Sequence, residues 1–168
     1  MKIEDKRAFL LGEETLKIVV ALICIVFLIY FLAMIYFAKI NEKKLQEAES
    51  ILKSSSPGSV KTIIERVENG KGNLGGNSEE LPIPNPVGWY LFAFVNIEKP
   101  NSCAGENCLC ICDKLASWNF WKAQIEECDK DGTCLIAGNL KSFNPIEIEI
   151  NTALIVTKQS NGLSIKRK

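Results

Sequence analysis

The chain has 168 residues, 47% of them hydrophobic, and its 20 basic and 20 acidic side chains cancel to zero formal charge. That apolar fraction excludes a wholly disordered chain, and the length admits one modest domain with accessory segments. Histidine is absent, so neither a Ser-His-Asp or Cys-His catalytic pair nor a histidine-ligated metal site can be built from this chain alone.

Residues 1–17 read as a short tail preceding a membrane span. The run from Ile18 to Ala38, IVVALICIVFLIYFLAMIYFA, holds no charge. As a helix rising about 1.5 Å per residue it covers the roughly 30 Å hydrocarbon core of a bilayer. A soluble helix keeps a polar stripe, and this run has none. A cleavable secretory signal would be shorter, with small residues framing the cut. Tyr36-Phe37-Ala38-Lys39 offers no such frame, so 18–38 is expected to be a retained signal anchor. Tyr30, Tyr36 and Phe37 lie toward its second end, the last two at the depth of an interfacial aromatic belt. Lys2, Lys6, Arg7 and Lys17 precede the span, and Lys39, Lys43, Lys44 and Lys53 follow it. The positive-inside rule therefore gives no direction.

Residues 39–68 predict a helical stalk. Ile40, Leu45, Ala48, Ile51 and Leu52 recur at helical spacing among Lys and Glu, and the seam is too short and irregular for a coiled coil. Ser56-Pro57 is expected to cap a second short helix through Val60, Ile63, Ile64 and Val67, stopping at Asn69-Gly70. Residues 69–86, rich in Gly and Pro, read as a linker. The folded head is then expected over 87–168.

That head opens with VGWYLFAFVNI, apolar on both alternation faces as in a central strand. CLCIC, from Cys108 to Cys112, is a second strand candidate, joined to the first by the turn-rich EKPNSCAGEN. DKLASWNFWKAQIEEC admits one helical turn or more, and DKDG is a turn before TCLIA. IEIEI alternates strictly from Ile146 to Ile150. ALIVTKQS and LSIKRK flank Asn161-Gly162, the preferred pair for a two-residue hairpin turn. Pairing Ser160 with Leu163 places Leu154, Val156, Leu163 and Ile165 on one face. The expected fold is a single N-terminal transmembrane helix with a helical stalk, followed by a small antiparallel β-rich (α+β) disulfide-stabilised domain of five or six strands with little helix.

Seven cysteines are present. Cys24 lies in the apolar run; Cys103, Cys108, Cys110, Cys112, Cys128 and Cys134 cluster in the head. An even cluster in a small domain beyond an anchor points to disulfides and an oxidising compartment, hence an N-terminus inside and a head outside the cell membrane. In a strand, Cys108, Cys110 and Cys112 project to one face, too poorly oriented to bridge one another. Each then needs one of Cys103, Cys128 and Cys134, expected to reach it from three different loops. That leaves six of the fifteen connectivities open. The competing reading is a thiolate site for zinc or iron built from the same six residues, although the usual C-x2-C knuckle is missing. Redox catalysis lacks a C-x-x-C motif.

Trp118, Phe120 and Trp121 are expected to anchor a small core, or else to present an aromatic contact to a partner. Glu126, Glu127, Asp129 and Asp131 lack the order of a calcium loop and read as a solvated acidic turn.

LLGEETLK ahead of a long apolar helix and a β-rich head resembles the outline of archaeal type IV pilin-like proteins. The resemblance implies peptidase cleavage after a glycine, here Gly12, and assembly through the helix. This chain departs from the family pattern, with Leu11 before the glycine and Lys17 where the family places its packing glutamate. The chain is also similar to small archaeal single-pass proteins with a cysteine-rich head, which implies no activity. The expected function is a membrane-anchored extracytoplasmic structural or binding domain, a pilin-like subunit of a surface assembly, and not an enzyme. The alternative is a membrane-tethered metal or redox module. Expected partners are the lipid bilayer and other copies or proteins meeting the helix and stalk; no nucleic acid and no cofactor are expected.

Overall fold

The structure, a computed structural model, describes residues 4–113 and 120–168. The chain divides into two units, Met1–Asn41 and Glu42–Lys168. Helix α1 (Glu4–Lys53) forms all that is described of the first unit and continues into the second. From Leu16 to Phe37 every large apolar side chain on it is exposed, the least of them, Ile35, by 45%.

In the second unit the end of α1 behaves differently. Ala48 and Leu52 are fully buried, with Leu45 and Ile51 packed beside them, one helical face at the spacing i, i+3, i+7. α2 (Val60–Glu68) buries Val60, Ile63, Ile64 and Val67 in the same core, against β1 (Ser78–Pro82) and β6 (Ala153–Gln159). The helical stalk expected over 39–68 is thus, from Glu42 on, part of the folded head. Its N-cap is Ser59, whose Oγ accepts the Thr62 N–H at 3.3 Å. Pro57 and Gly58 are the centre of a turn closed by Ser59 N–H to Ser56 O, which moves the cap three residues beyond the expected Ser56. The stop at Asn69-Gly70 is as the spacing suggested. Gly70 is left-handed (φ 69°), and the Lys71 and Gly70 N–H groups close on the Arg66 and Val67 carbonyls, a Schellman ending.

The expected linker over 69–86 is overturned. Gly75 and Gly76 carry positive φ and fold the chain back, with Gly72 and Gly76 exchanging hydrogen bonds. The chain then enters β1, which pairs antiparallel with β6 and buries Leu81. Glu79 on the same face is 2% exposed; its Oε1 meets Arg66 Nη2 at 2.7 Å and accepts from Asn73 Nδ2 at 3.2 Å. Here the glycines make a tight reversal rather than a tether, and the head begins at Glu42 rather than at residue 87.

Seven strands form two antiparallel sheets among the described residues: six lie within 87–168, as expected of that segment, and the seventh is β1 from the expected linker. One sheet has the order β1-β6-β7, with β7 spanning Gly162–Arg167; the other, β4-β3-β2-β5, comprises Thr133–Ile136, Cys108–Cys112, Tyr90–Phe94 and Ile146–Glu147. IEIEI contributes only its first two residues as strand, and Ile150 is 72% exposed. Leu154, Val156, Leu163 and Ile165 are all buried, on one face as expected, but the hairpin pairs Gln159 with Gly162 and Lys158 with Leu163. The pairing differs by two residues from that expected, which preserves the face. At the start of β7, Gly162 (φ 131°) has to be a glycine, because the Asn139 carbonyl lies where its Cβ would be.

β2 and β3 sit in the middle of their sheet and are covered on both faces. Leu91, Ala93, Leu109 and Ile111 join the large core shared with the other sheet and α2. Phe92, Phe94, Cys108, Cys110 and Cys112 form a second core with Cys103, Ile125, Cys128 and Cys134. This second layer is closed by a 3-10 turn (Asn101–Cys103) and by α3 (Phe120–Asp131), a three-turn helix where little helix was expected.

Candidate functional site

The sulfur layer is the most unusual chemistry in the head. Alternation along β3 puts Cys108, Cys110 and Cys112 on one face, and the antiparallel register sets Phe94, Phe92 and Tyr90 of β2 directly opposite them. Phe92 and Phe94 stack with centroids 6.2 Å apart, so a row of rings lines the row of sulfurs. Both are fully apolar neighbours that keep water from the layer.

The structure brings each strand cysteine to disulfide distance of a different partner: Cys108 with Cys103, Cys110 with Cys134 and Cys112 with Cys128. Their Cα separations are 5.8, 4.0 and 5.1 Å. The partners do not come from three loops. Cys103 ends the 3-10 turn, Cys134 lies on β4 opposite Cys110, and Cys128 is on α3. The β3–β4 register explains the middle pair, since directly opposed residues of an antiparallel pair bring their Cβ atoms together.

Two side chains hold this layer: Asp129, which the sequence placed in a solvated acidic turn, and Gln124, which it did not single out. Asp129 follows Cys128 on α3 and accepts from the Asn101 N–H (2.7 Å), Asn101 Nδ2 (2.8 Å) and the Ser102 N–H (2.9 Å). It thereby ties the turn carrying Cys103 to the helix carrying Cys128. Burial alone would raise its pKa; the hydrogen bonds from Ser102 and Asn101 together outweigh that and hold the carboxyl below its ordinary value. Gln124, fully buried, donates through Nε2 to the Asp113 carbonyl and lies 3.5 and 3.6 Å from the sulfurs of Cys112 and Cys128. Gly132 completes the fit, because a Cβ there would stand 2.7 Å from Cys112 Cβ. The expected DKDG turn is instead the end of α3, with Gly132 alone joining it to β4 and packing against Cys112 and Cys128.

The acidic residues of α3 do not act as one group. Asp129 is taken up as described. Glu127 has a raised pKa, from burial first and then from the Asp131 and Asp113 charges, with Lys130 opposing. Phe120 and Trp121 open α3, but their side chains, like Trp118 altogether, lie outside the described residues. Gly12 lies within α1.

In the sulfur layer, Cys103, Cys110 and Cys134 have Sγ atoms within 4.8 Å of one another, all buried. Reduced, these three offer a soft-metal donor set of the kind that takes zinc. Cys103 and Cys108 each lie 3.9 Å, sulfur to sulfur, from Cys110. The chain matches no protein-family model, no curated protein and no solved structure.

Proposed function

We propose that this chain is a single-pass membrane-anchored protein whose cysteine-stapled head stands outside the cell membrane and serves as a structural or binding domain, without enzymatic activity. The observation that carries the reading is the helix from Leu16 to Phe37, whose large side chains are exposed on every face. By length and composition it is sufficient to cross a bilayer. Water would penalise that surface heavily, at roughly 25 cal/mol per Å² of apolar area, so lipid is its natural solvent. The six head cysteines, paired within one small unit, support an oxidising side for that unit. The short segment before the helix is then cytoplasmic, and residues 18–38 are the span.

A pilin-like subunit of a surface assembly is the form of this proposal that gives the helix a second use, packing against copies of itself within the membrane. Its test is processing at Gly12. Expression of the wild type and of Gly12→Ala is expected to give a shorter mature wild-type chain and an unprocessed variant; equal sizes would remove the pilin reading and leave the anchor.

One observation favours a second reading, a membrane-tethered thiolate metal module facing the cytoplasm: the three converging sulfurs of Cys103, Cys110 and Cys134. Topology separates the two. Membrane-impermeant maleimide applied to intact cells is expected to label head thiols only after a reductant has been added. Labelling without reductant and only after lysis, with zinc co-purifying, would favour the module.

A further inference from the structure

Two of the three sulfur pairs are not independent staples. Cys103–Cys108 and Cys110–Cys134 approach so closely that Cys110 Sγ lies 3.9 Å from the sulfurs of both Cys103 and Cys108. That is van der Waals contact between sulfurs, broadside to the Cys103–Cys108 pair, so exchange needs Cys110 Sγ only to swing into line with that bond. The four residues also differ in access. Cys103, Cys108 and Cys110 are wholly buried, whereas Cys134 retains 6% exposure on β4, the edge strand of its sheet. Its neighbour Ile136 is 46% exposed. An entering thiol thus meets Cys134 first, and behind it stands an ordered row of sulfur.

We propose that Cys134, Cys110, Cys103 and Cys108 form a thiol–disulfide relay that accepts reducing equivalents from a low-molecular-weight thiol at the sheet edge and delivers them to the buried Cys108 of β3. A thiolate RS⁻ attacks Cys134 Sγ; an RS–S bond forms, the Cys110–Cys134 bond breaks, and the electron pair leaves on Cys110. The Cys110 thiolate attacks Cys103 Sγ, forming Cys103–Cys110, breaking Cys103–Cys108 and placing the electron pair on Cys108, which takes up the proton that the entering thiol gave up. Attack on Cys108 instead would link neighbours two apart on one strand, whose Cβ vectors run parallel. A second thiol resolves the mixed disulfide at Cys134, releasing RSSR and leaving a Cys134 thiol. The sum is two thiols oxidised to one disulfide, and two disulfides of the protein converted to one, with thiols at Cys108 and Cys134.

The aromatic row and the Asp129 tether suit this transfer. Phe92 and Phe94 keep water from the exchanging sulfurs, and the turn carrying Cys103 is held in place by Asp129 rather than by the Cys103–Cys108 bond alone. The third pair, Cys112–Cys128, keeps α3 on the sheet throughout.

The relay is tested on purified full-length protein in detergent, with linkages mapped by mass spectrometry after acid quenching and alkylation. In Cys108→Ser the orphaned Cys103 is expected to capture Cys110 and release Cys134 in at least about one molecule in ten, since exchange between similar thiols is near balance. Only molecules that retain the Cys112–Cys128 link are scored, which confines the reading to folded chains. If Cys110–Cys134 persists in all of them and Cys103 alone is free, the relay is overturned. Cys134→Ser gives the second reading if too little Cys108→Ser folds. The relay expects free thiol divided between Cys110 and Cys108, and thiol at Cys110 alone contradicts it. Wild-type protein lacking the Cys103–Cys108 and Cys110–Cys134 links would refute the disulfide assignment itself. Neither result depends on which side of a membrane the head occupies.

Discussion

Asp129 binds three N–H donors at the start of the 3-10 turn, a place where the unsatisfied N–H groups of a helical turn favour an anion. Its depressed pKa fixes the sign of a pH effect. A carboxyl whose folded pKa lies below its unfolded value of about 3.9 contributes fully above that value. The contribution is lost as pH falls through the folded pKa. Replacing it with Ala is expected to cost about 1–2 kcal/mol at pH 7, read as a lower thermal midpoint. The gap between variant and wild type should narrow as pH falls through the folded-state pKa of Asp129, because only the wild type has that carboxylate to lose; a gap independent of pH would remove the ionic role. Gly132→Ala would drive a methyl into Cys112 Cβ and the Cys128 backbone. It is expected to destabilise the head by about 1–3 kcal/mol, with an increased fraction of unpaired Cys112 and Cys128 by alkylation mapping. A variant as stable as wild type would show that the approach is looser than described. Neither residue was legible in the sequence. An Asp in an acidic run and a Gly in a turn have common local explanations, and only the meeting of α3 with two distant segments gives them their roles.

At the scale of elements, local patterns were readable and long-range pairing was not. The two-residue period of CLCIC put three cysteines on one face and sent each to a different partner. The apolar alternation of β6 and β7 similarly fixed the buried face of the hairpin. Which cysteine meets which depends on where β4 and α3 lie, and the need for a glycine at 162 comes from the Asn139 carbonyl; both are set by residues outside the local pattern. Residues 69–86 misled for a related reason: Gly and Pro serve tight reversals and flexible tethers alike, and β1 is a strand only because β6 pairs with it. Leu81, 1% exposed, supplies the check. Leu81→Ala is expected to cost about 2–4 kcal/mol by chemical denaturation, whereas a linker residue would cost nearly nothing. The staples should also differ in value. The cross-link spanning 24 residues, Cys110–Cys134, constrains the unfolded chain more than the one spanning 5, Cys103–Cys108. By loop-closure entropy its removal should cost about 1–1.5 kcal/mol more, and the reverse order would point to strain or packing as the larger influence.

For the whole molecule, an apolar helix exposed on all sides and a head closed around its own two cores demand different surroundings. The apolar run was evident from the sequence, because an uncharged stretch of that length needs no tertiary contact to be recognised. The head's true extent was not, since it takes the last turns of α1 into its core and packs α2 against β1 and β6. The proposed anchor and the proposed oxidising side stand or fall together on one measurement: labelling of intact cells with an impermeant maleimide, with and without a reductant, followed by mapping of the modified cysteines. The proposal expects no label at Cys103, Cys108, Cys110, Cys112, Cys128 or Cys134 until reductant is added, and then label from outside. Label at these residues without reductant, and only once the cells are lysed, would contradict it.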